Sequence, residues 1–199
     1  MIADVDGLLD SECPVEWACD HLLTVGYGER ATVFAYPGRA DLVIRISDYP
    51  DGWFAHASGL NAAEEMGDGG AWRRHGPVAH DMVFKDGYYL AVCERLDRIH
   101  DEDTEALEWV ETARLIMAHK PVEAEQLARF NRAQPDFSSF LRWCPAKAMD
   151  IYRMDNWMLR GRYLVLNDPY ASMSPAEEAG FQQEYAFAEE AETCLSPQP

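Results

Sequence analysis

The chain has 199 residues, 48% of them hydrophobic and 12% aromatic, enough for a real core and too apolar for a wholly disordered acidic tail. Its 35 Asp and Glu outnumber its 17 Lys and Arg, for a formal net charge of −18. That balance argues against direct binding to nucleic-acid phosphates or anionic membranes, which need a surplus of cations, and leaves partners with basic surfaces.

The charge is unevenly placed. Residues 1–29 hold seven acids and no Lys or Arg, and residues 163–199 hold seven more, again without a base. A third acidic stretch, Asp97 to Glu111, carries seven acids and one base. The remaining body is close to neutral. The five cysteines form no C-x-x-C pair, which fits reduced thiols in a cytosol. The start, MIADVDGLLDSECPVEW, lacks the basic and apolar regions of a signal peptide, and no apolar run reaches the roughly 20 residues of a membrane span. The six histidines are scattered, so four converging zinc ligands are not expected.

Residues 14–24 are short and weakly amphipathic. VGYGERATVFAYPG reads as strand, glycine turn, strand, closed by Pro37-Gly38. DLVIRIS (41–47) alternates as a strong strand. Residues 52–66 have helical spacing, and Gly67 to Gly70 predict its stop. VAHDMVFKDGYYLAVCERL is a hairpin turning at Lys85-Asp86-Gly87. Helical patterns then cover 101–120, a segment opened by Pro121, and a third stretch from Phe137 limited by Pro145. RYLVLNDP (162–169) is a buried strand ending in a polar loop. Ser174-Pro175-Ala176-Glu177 is a capping box for a C-terminal helix. Five of the six tryptophans (53, 72, 109, 143 and 157), with Phe54, are expected in the core or between two halves. The order is a β-rich half to residue 96, a helix-rich half over 97–173, and an acidic helix and tail over 174–199.

Four features carry candidate chemistry. Gly26-Tyr27-Gly28 at a strand–strand turn lets backbone N–H groups approach a phosphate, or simply turns a hairpin. Arg45 sits on an apolar strand; if buried it needs an anion, and otherwise it is a surface arginine on an edge strand. Asp150 and Asn156 flank a polar loop, where an Asp can orient a hydroxyl and an Asn can hold a metal. Asp168 follows the strand YLVL, a place suited to a Mg²⁺ ligand, although Asn-Asp-Pro is also strong turn chemistry.

In this order the parts resemble the protein-kinase-like superfamily, in particular the early serine/threonine protein kinases of lytic tailed bacteriophages. The stretches that carry the resemblance are VGYGERATVFAYPGRADLVIRIS, YYLAVCERLD and MDIYRMDNWMLRGRYLVLNDPYA. The resemblance implies an α+β fold of two lobes, an antiparallel β-rich N-lobe and a short helical C-lobe. It implies ATP under Gly26 and Gly28, and Arg45 on the phosphates, paired with Glu64 or Glu65. Glu94 to Leu96 would lie beside adenine. Asp150 would be the base, with Asn156 and Asp168 as Mg²⁺ ligands.

Three departures shape the expected function. Arg45 stands where the family has lysine, and a planar guanidinium does not copy an ammonium. Asn156 follows Asp150 by six residues where the family has five, which puts Ile151 in the base position or displaces Asp150; Asp155 lies next to Asn156. Only 31 residues follow Asp168, too few for a full activation segment and peptide platform. The expectation is a pseudokinase-like acidic protein of the host cytosol. It would bind and inhibit or redirect a host protein with a basic surface, such as a nucleic-acid-binding or defence enzyme. The alternatives are an active small Mg-ATP-dependent serine/threonine kinase and a non-catalytic acidic protein or nucleic-acid mimic.

Overall fold

The computed structural model describes residues 1–28, 31–48, 52–67, 69–143 and 151–168. Asp150 and the capping box at 174–177 lie outside them. The chain opens with a 3-10 turn at Ile2–Asp4 and α1 (Pro14–His21). β1 (Thr24–Tyr27), β2 (Ala31–Ala35) and β3 (Leu42–Ser47) follow, then α2 (Gly52–Glu65) and α3 (Gly69–His75). β4 (Ala79–Lys85) and β5 (Tyr88–Glu94) form the expected hairpin. Asp86 and Gly87 both have positive φ, 52° and 88°, the geometry that an Asp-Gly turn supplies. β6 (Asp97–Arg98) is followed by α4 (Thr104–Met117), α5 (Ala124–Ala133) and α6 (Phe137–Phe140). β7 (Trp157–Arg160) and β8 (Tyr163–Leu166) form a second hairpin.

The fold is α+β. Five antiparallel strands run in the order β1-β2-β3-β5-β4, and a separate three-stranded sheet runs β6-β7-β8. β3 lies inside the first sheet between β2 and β5, so Arg45 is not on an edge strand. All six residues of β3 are buried, because both faces of the sheet are covered.

One face takes Leu42, Ile44 and Ile46, packed with Phe34, Leu90 and Val92 against Ile2, Val5, Leu8 and Ala18. The acidic N-terminal segment is therefore a core element. Its apolar side chains seal the sheet, while Asp4, Asp6, Asp10, Glu12, Glu16 and Asp20 are all exposed. The backbone N–H of Ile2 donates to Asp81 Oδ2 of β4 at 2.7 Å, fixing this cover at its start.

The opposite face takes Val43, Tyr89, Ala91 and Cys93, packed against Trp53, Phe54 and Ala57 of α2. Burial pushes the Cys93 thiol up to about 12. Farther along α2, Leu60 and Ala63 join a third core with Trp72, Trp109, Phe130, Phe137, Phe140, Trp157 and Leu164. Thus α2 belongs to both halves. α3 occupies the stretch where the glycines predict a break. A Cβ on Gly69 would stand 2.6 Å from Glu64 Cγ, so glycine there permits close helix packing. Among the described residues no helix is long and apolar enough to cross a membrane.

Candidate functional site

β3 places Arg45 on the face covered by α2, where it is 8% exposed. Its guanidinium lies over the Trp53 ring, 4.9 Å from the centroid, and Nη2 donates to Asp168 Oδ2 at 3.4 Å. The strand cation and the strand-terminal carboxylate, 123 residues apart, thus meet. Burying a guanidinium costs several kcal/mol unless a charge and a ring face compensate it, and both are present.

Asp168 reaches Arg45 because β8 ends at Leu166 and the chain is held there. Asn167 N–H donates to the Asn156 carbonyl at 2.8 Å. Trp53 Nε1–H donates to Asn167 Oδ1 at 3.1 Å. His56 Nε2 meets the Leu166 carbonyl at 2.8 Å, deep between Trp72 and Phe140. Burial pushes the His56 pKa down to about 4, so the ring is neutral and Nε2 carries the donor proton. Three consecutive residues, 166 to 168, are therefore tied to α2 or β3. Asn156 is buried in the 3-10 turn Met154–Asn156 that leads into β7.

The other site residues are distributed as follows. Gly26 pairs with Val33, which pairs with Arg45, so glycine and arginine share one cross-strand row. Gly28 N–H donates to the Ala31 carbonyl at 2.7 Å, which closes the turn. Glu64 is exposed at the end of α2 and ion-pairs with Arg73 of α3. Glu65 is exposed as well.

Glu94 is half-buried and accepts from Val78 N–H at 3.0 Å and from Arg160 Nε at 2.7 Å. Arg160 also donates to the Gly76 carbonyl at 2.8 Å, so Glu94 joins the first sheet to β7 through a charged fork. Leu96 is half-buried just before β6.

Asp150 lies outside the described residues. Ile151 is buried, and its carbonyl accepts from Arg114 Nε at 2.7 Å and Trp157 Nε1 at 2.9 Å. Asp155 is exposed and takes a two-point bond from Arg153, which holds its carboxyl below the usual range. The geometry thus commits Asp155 to its own turn.

The sequence places Trp53 in the core or between the two halves, and Asn167 in a segment that reads as turn chemistry. Both belong to the Arg45–Asp168 network, and only the Asn-Asp pair hinted at it. For Mg²⁺, Asp168 and Asn156 offer one carboxylate and one carboxamide, and the carboxylate already faces a guanidinium. Magnesium is normally held by one or two carboxylates together with substrate phosphates. These two side chains do not fit a metal held by the protein alone. Among the described residues no three His, Cys, Asp or Glu side chains gather as a metal site. No protein-family model matches the chain, and no curated protein matches it.

Proposed function

We propose that the chain is a small two-lobed protein-kinase-like protein of the bacteriophage type that works by binding rather than by phosphoryl transfer. Its target is a host protein with a basic surface. The observation that carries the reading is the N-terminal cover: its apolar residues are core while its six described acids all face outward. Acidity held on a packed surface presents a fixed pattern of charge, which favours complementary recognition and fast association. The acidic stretch from Asp97 to Glu111 adds Asp97, Asp101, Glu102, Glu105 and Glu111, all exposed. The kinase-like part rests on the strand order, on Arg45 meeting Asp168, and on Asn156 preceding β7.

Binding to purified basic host proteins, nucleic-acid-binding ones among them, is measured at low and high salt. The reading expects capture that weakens as salt rises, because screening shortens electrostatic reach to about 8 Å at physiological ionic strength. A variant with Asp4, Asp6, Asp10 and Glu12 changed to Asn or Gln should lose most of it. A salt-insensitive complex, or an unaffected variant, would contradict the acidic-surface argument. Transfer of labelled phosphate from Mg-ATP to the chain or to a protein substrate would replace the reading with that of an active kinase.

A further inference from the structure

β8 is an edge strand of the β6-β7-β8 sheet, and side chains take up its outer edge. Gln134 Oε1 accepts from the Leu164 N–H at 2.9 Å, and Gln134 Nε2 donates to the Arg162 carbonyl at 3.1 Å. His56 takes the Leu166 carbonyl, and His75 Nδ1 lies 2.9 Å from the Leu164 carbonyl. His75 belongs to α3, is 0% exposed, and stands edge-on to the rings of Phe137 and Tyr163. Its other ring nitrogen is engaged as well. Nε2 lies 2.7 Å from the carbonyl of Pro135, in the turn between α5 and α6.

A carbonyl oxygen only accepts, so each contact needs an N–H on the ring. A neutral imidazole has one N–H and an imidazolium has two. Both short contacts together therefore describe the charged ring. In the neutral ring one nitrogen turns a lone pair toward a carbonyl oxygen, and that contact must lengthen. The surroundings decide which one. The bond to Leu164 is buried, where a carbonyl deprived of its donor is costly. Pro135 is half-buried, and its carbonyl also receives Arg74 Nη1 at 3.5 Å. The neutral ring thus keeps its proton on Nδ1 and leaves Pro135 to Arg74.

We propose that His75 is a pH-sensitive latch on the α5–α6 turn: charged, it ties Pro135 to β8 through its ring, and neutral, it holds β8 alone. Burial disfavours the charged ring most, the two carbonyls oppose that, and Arg74 and Arg160 add to it, for a pKa below 6.5. Asp136, in the same turn, ion-pairs with Arg74. On the β8 side, Arg74 and Arg162 both lie over the Tyr163 ring. His56 of α2 packs on Phe140, as His75 does. The latch is open at pH 7 and closes as pH falls. The sign for the whole fold is opposite. With the folded pKa below the unfolded one, the stability from His75 is fully present above pH 6.5 and is lost as pH falls through the lowered value. A tightening turn in a weakening fold separates a latch from a merely buried histidine. The proposal is independent of recognition of a basic partner.

The test is NMR of the nitrogen-15-labelled full chain, titrated from pH 8 down to the onset of acid unfolding. At pH 8 the His75 proton should sit on Nδ1. The ring should then take up its second proton with a midpoint below 6.5. The Asp136 and Phe137 amide signals should shift with that same midpoint. Phe137 N–H bonds the Gln134 carbonyl across the turn at 3.4 Å, so its hydrogen exchange, corrected for the intrinsic pH dependence, should slow once the ring is charged. Arg74→Met removes both a like charge and the second donor to Pro135. It should raise the His75 midpoint and reduce Phe137 protection at pH 8. A proton on Nε2 at pH 8, a ring that titrates without the two amides following, or a ring that stays neutral until the chain unfolds would overturn the proposal. So would an Arg74→Met midpoint equal to that of the wild type.

Discussion

His56 gives the sharpest quantitative prediction. It is 2% exposed, touches the rings of Trp72 and Phe140, and bonds the Leu166 carbonyl at 2.8 Å. Its pKa falls from 6.5 to about 4 on folding, chiefly through burial. The folded state thus favours the neutral ring. The stability that His56 contributes is fully present above pH 6.5 and is lost as pH falls through about 4. In full the displacement is worth about 3 kcal/mol at 1.36 kcal/mol per pH unit, and about 2 kcal/mol of it should be gone by pH 5.

The perturbation is His56→Gln, which keeps an N–H donor for the carbonyl and removes the titration. Urea unfolding followed by tryptophan fluorescence at several pH values reads the difference, with Trp72 4.9 Å from the ring as a nearby reporter. The variant will be less stable at pH 7, because a ring is lost from a packed site. Its stability should then fall by about 2 kcal/mol less than that of the wild type between pH 7 and pH 5. His75, also held low by burial, is present in both proteins and cancels in the difference. A gap between the two proteins that stays constant across this range would refute the reasoning.

Three further predictions follow from packing and charge. In a double-mutant cycle with Arg45→Met and Asp168→Asn, unfolding should give a coupling of at least ~1 kcal/mol; a coupling near zero would deny the pair an energetic role. Gly59→Ala adds a good helix former, a gain of ~1 kcal/mol, but its Cβ would stand 2.5 Å from the buried Trp72 ring, whose Nε1–H is bonded to the Pro77 carbonyl. The overpacking penalty of ~1–3 kcal/mol should dominate, and the melting temperature should fall. Within the N-terminal cover, Leu8→Ala should cost about 2–5 kcal/mol and Asp6→Asn less than ~0.5 kcal/mol, both read by urea unfolding.

Much of the sheet was legible because its signals are local. The alternation of Leu42, Ile44 and Ile46 and the Asp86-Gly87 turn depend only on neighbours in the chain. α2 was visible in its spacing. α3 was not, because the glycines at 67–70 carry two meanings. Gly67, with φ of 83°, does end a helix, whereas Gly69 serves the approach of Glu64. β6 has two residues and no pattern to detect. The apolar side of the N-terminal cover was not legible, since Ile2, Val5 and Leu8 recur every three residues, a spacing that matches neither an α-helical stripe nor a strand; their burial depends on the sheet beneath them.

At the site, Arg45 and Asp168 stood out by their order along the chain. Their mutual approach is tertiary, as are the contacts of Trp53 with Asn167 and of His56 with Leu166. Glu64 shows the converse. Its position in the helix suited a partner for Arg45, but the turn into α3 brings Arg73 to it instead.

The double membership of α2 has a mechanical consequence. Trp53 and His56, one helical turn apart, grip Asn167 and Leu166, while Trp53 also covers Arg45. Separating the sheet from the β7–β8 hairpin would break these bonds together and admit water to two buried rings. Ligand entry by wide swinging of the two halves is thereby disfavoured. The amide protons of β8 and of the α2 segment around His56 should exchange with solvent at similar, slow rates, as parts of one cooperative unit.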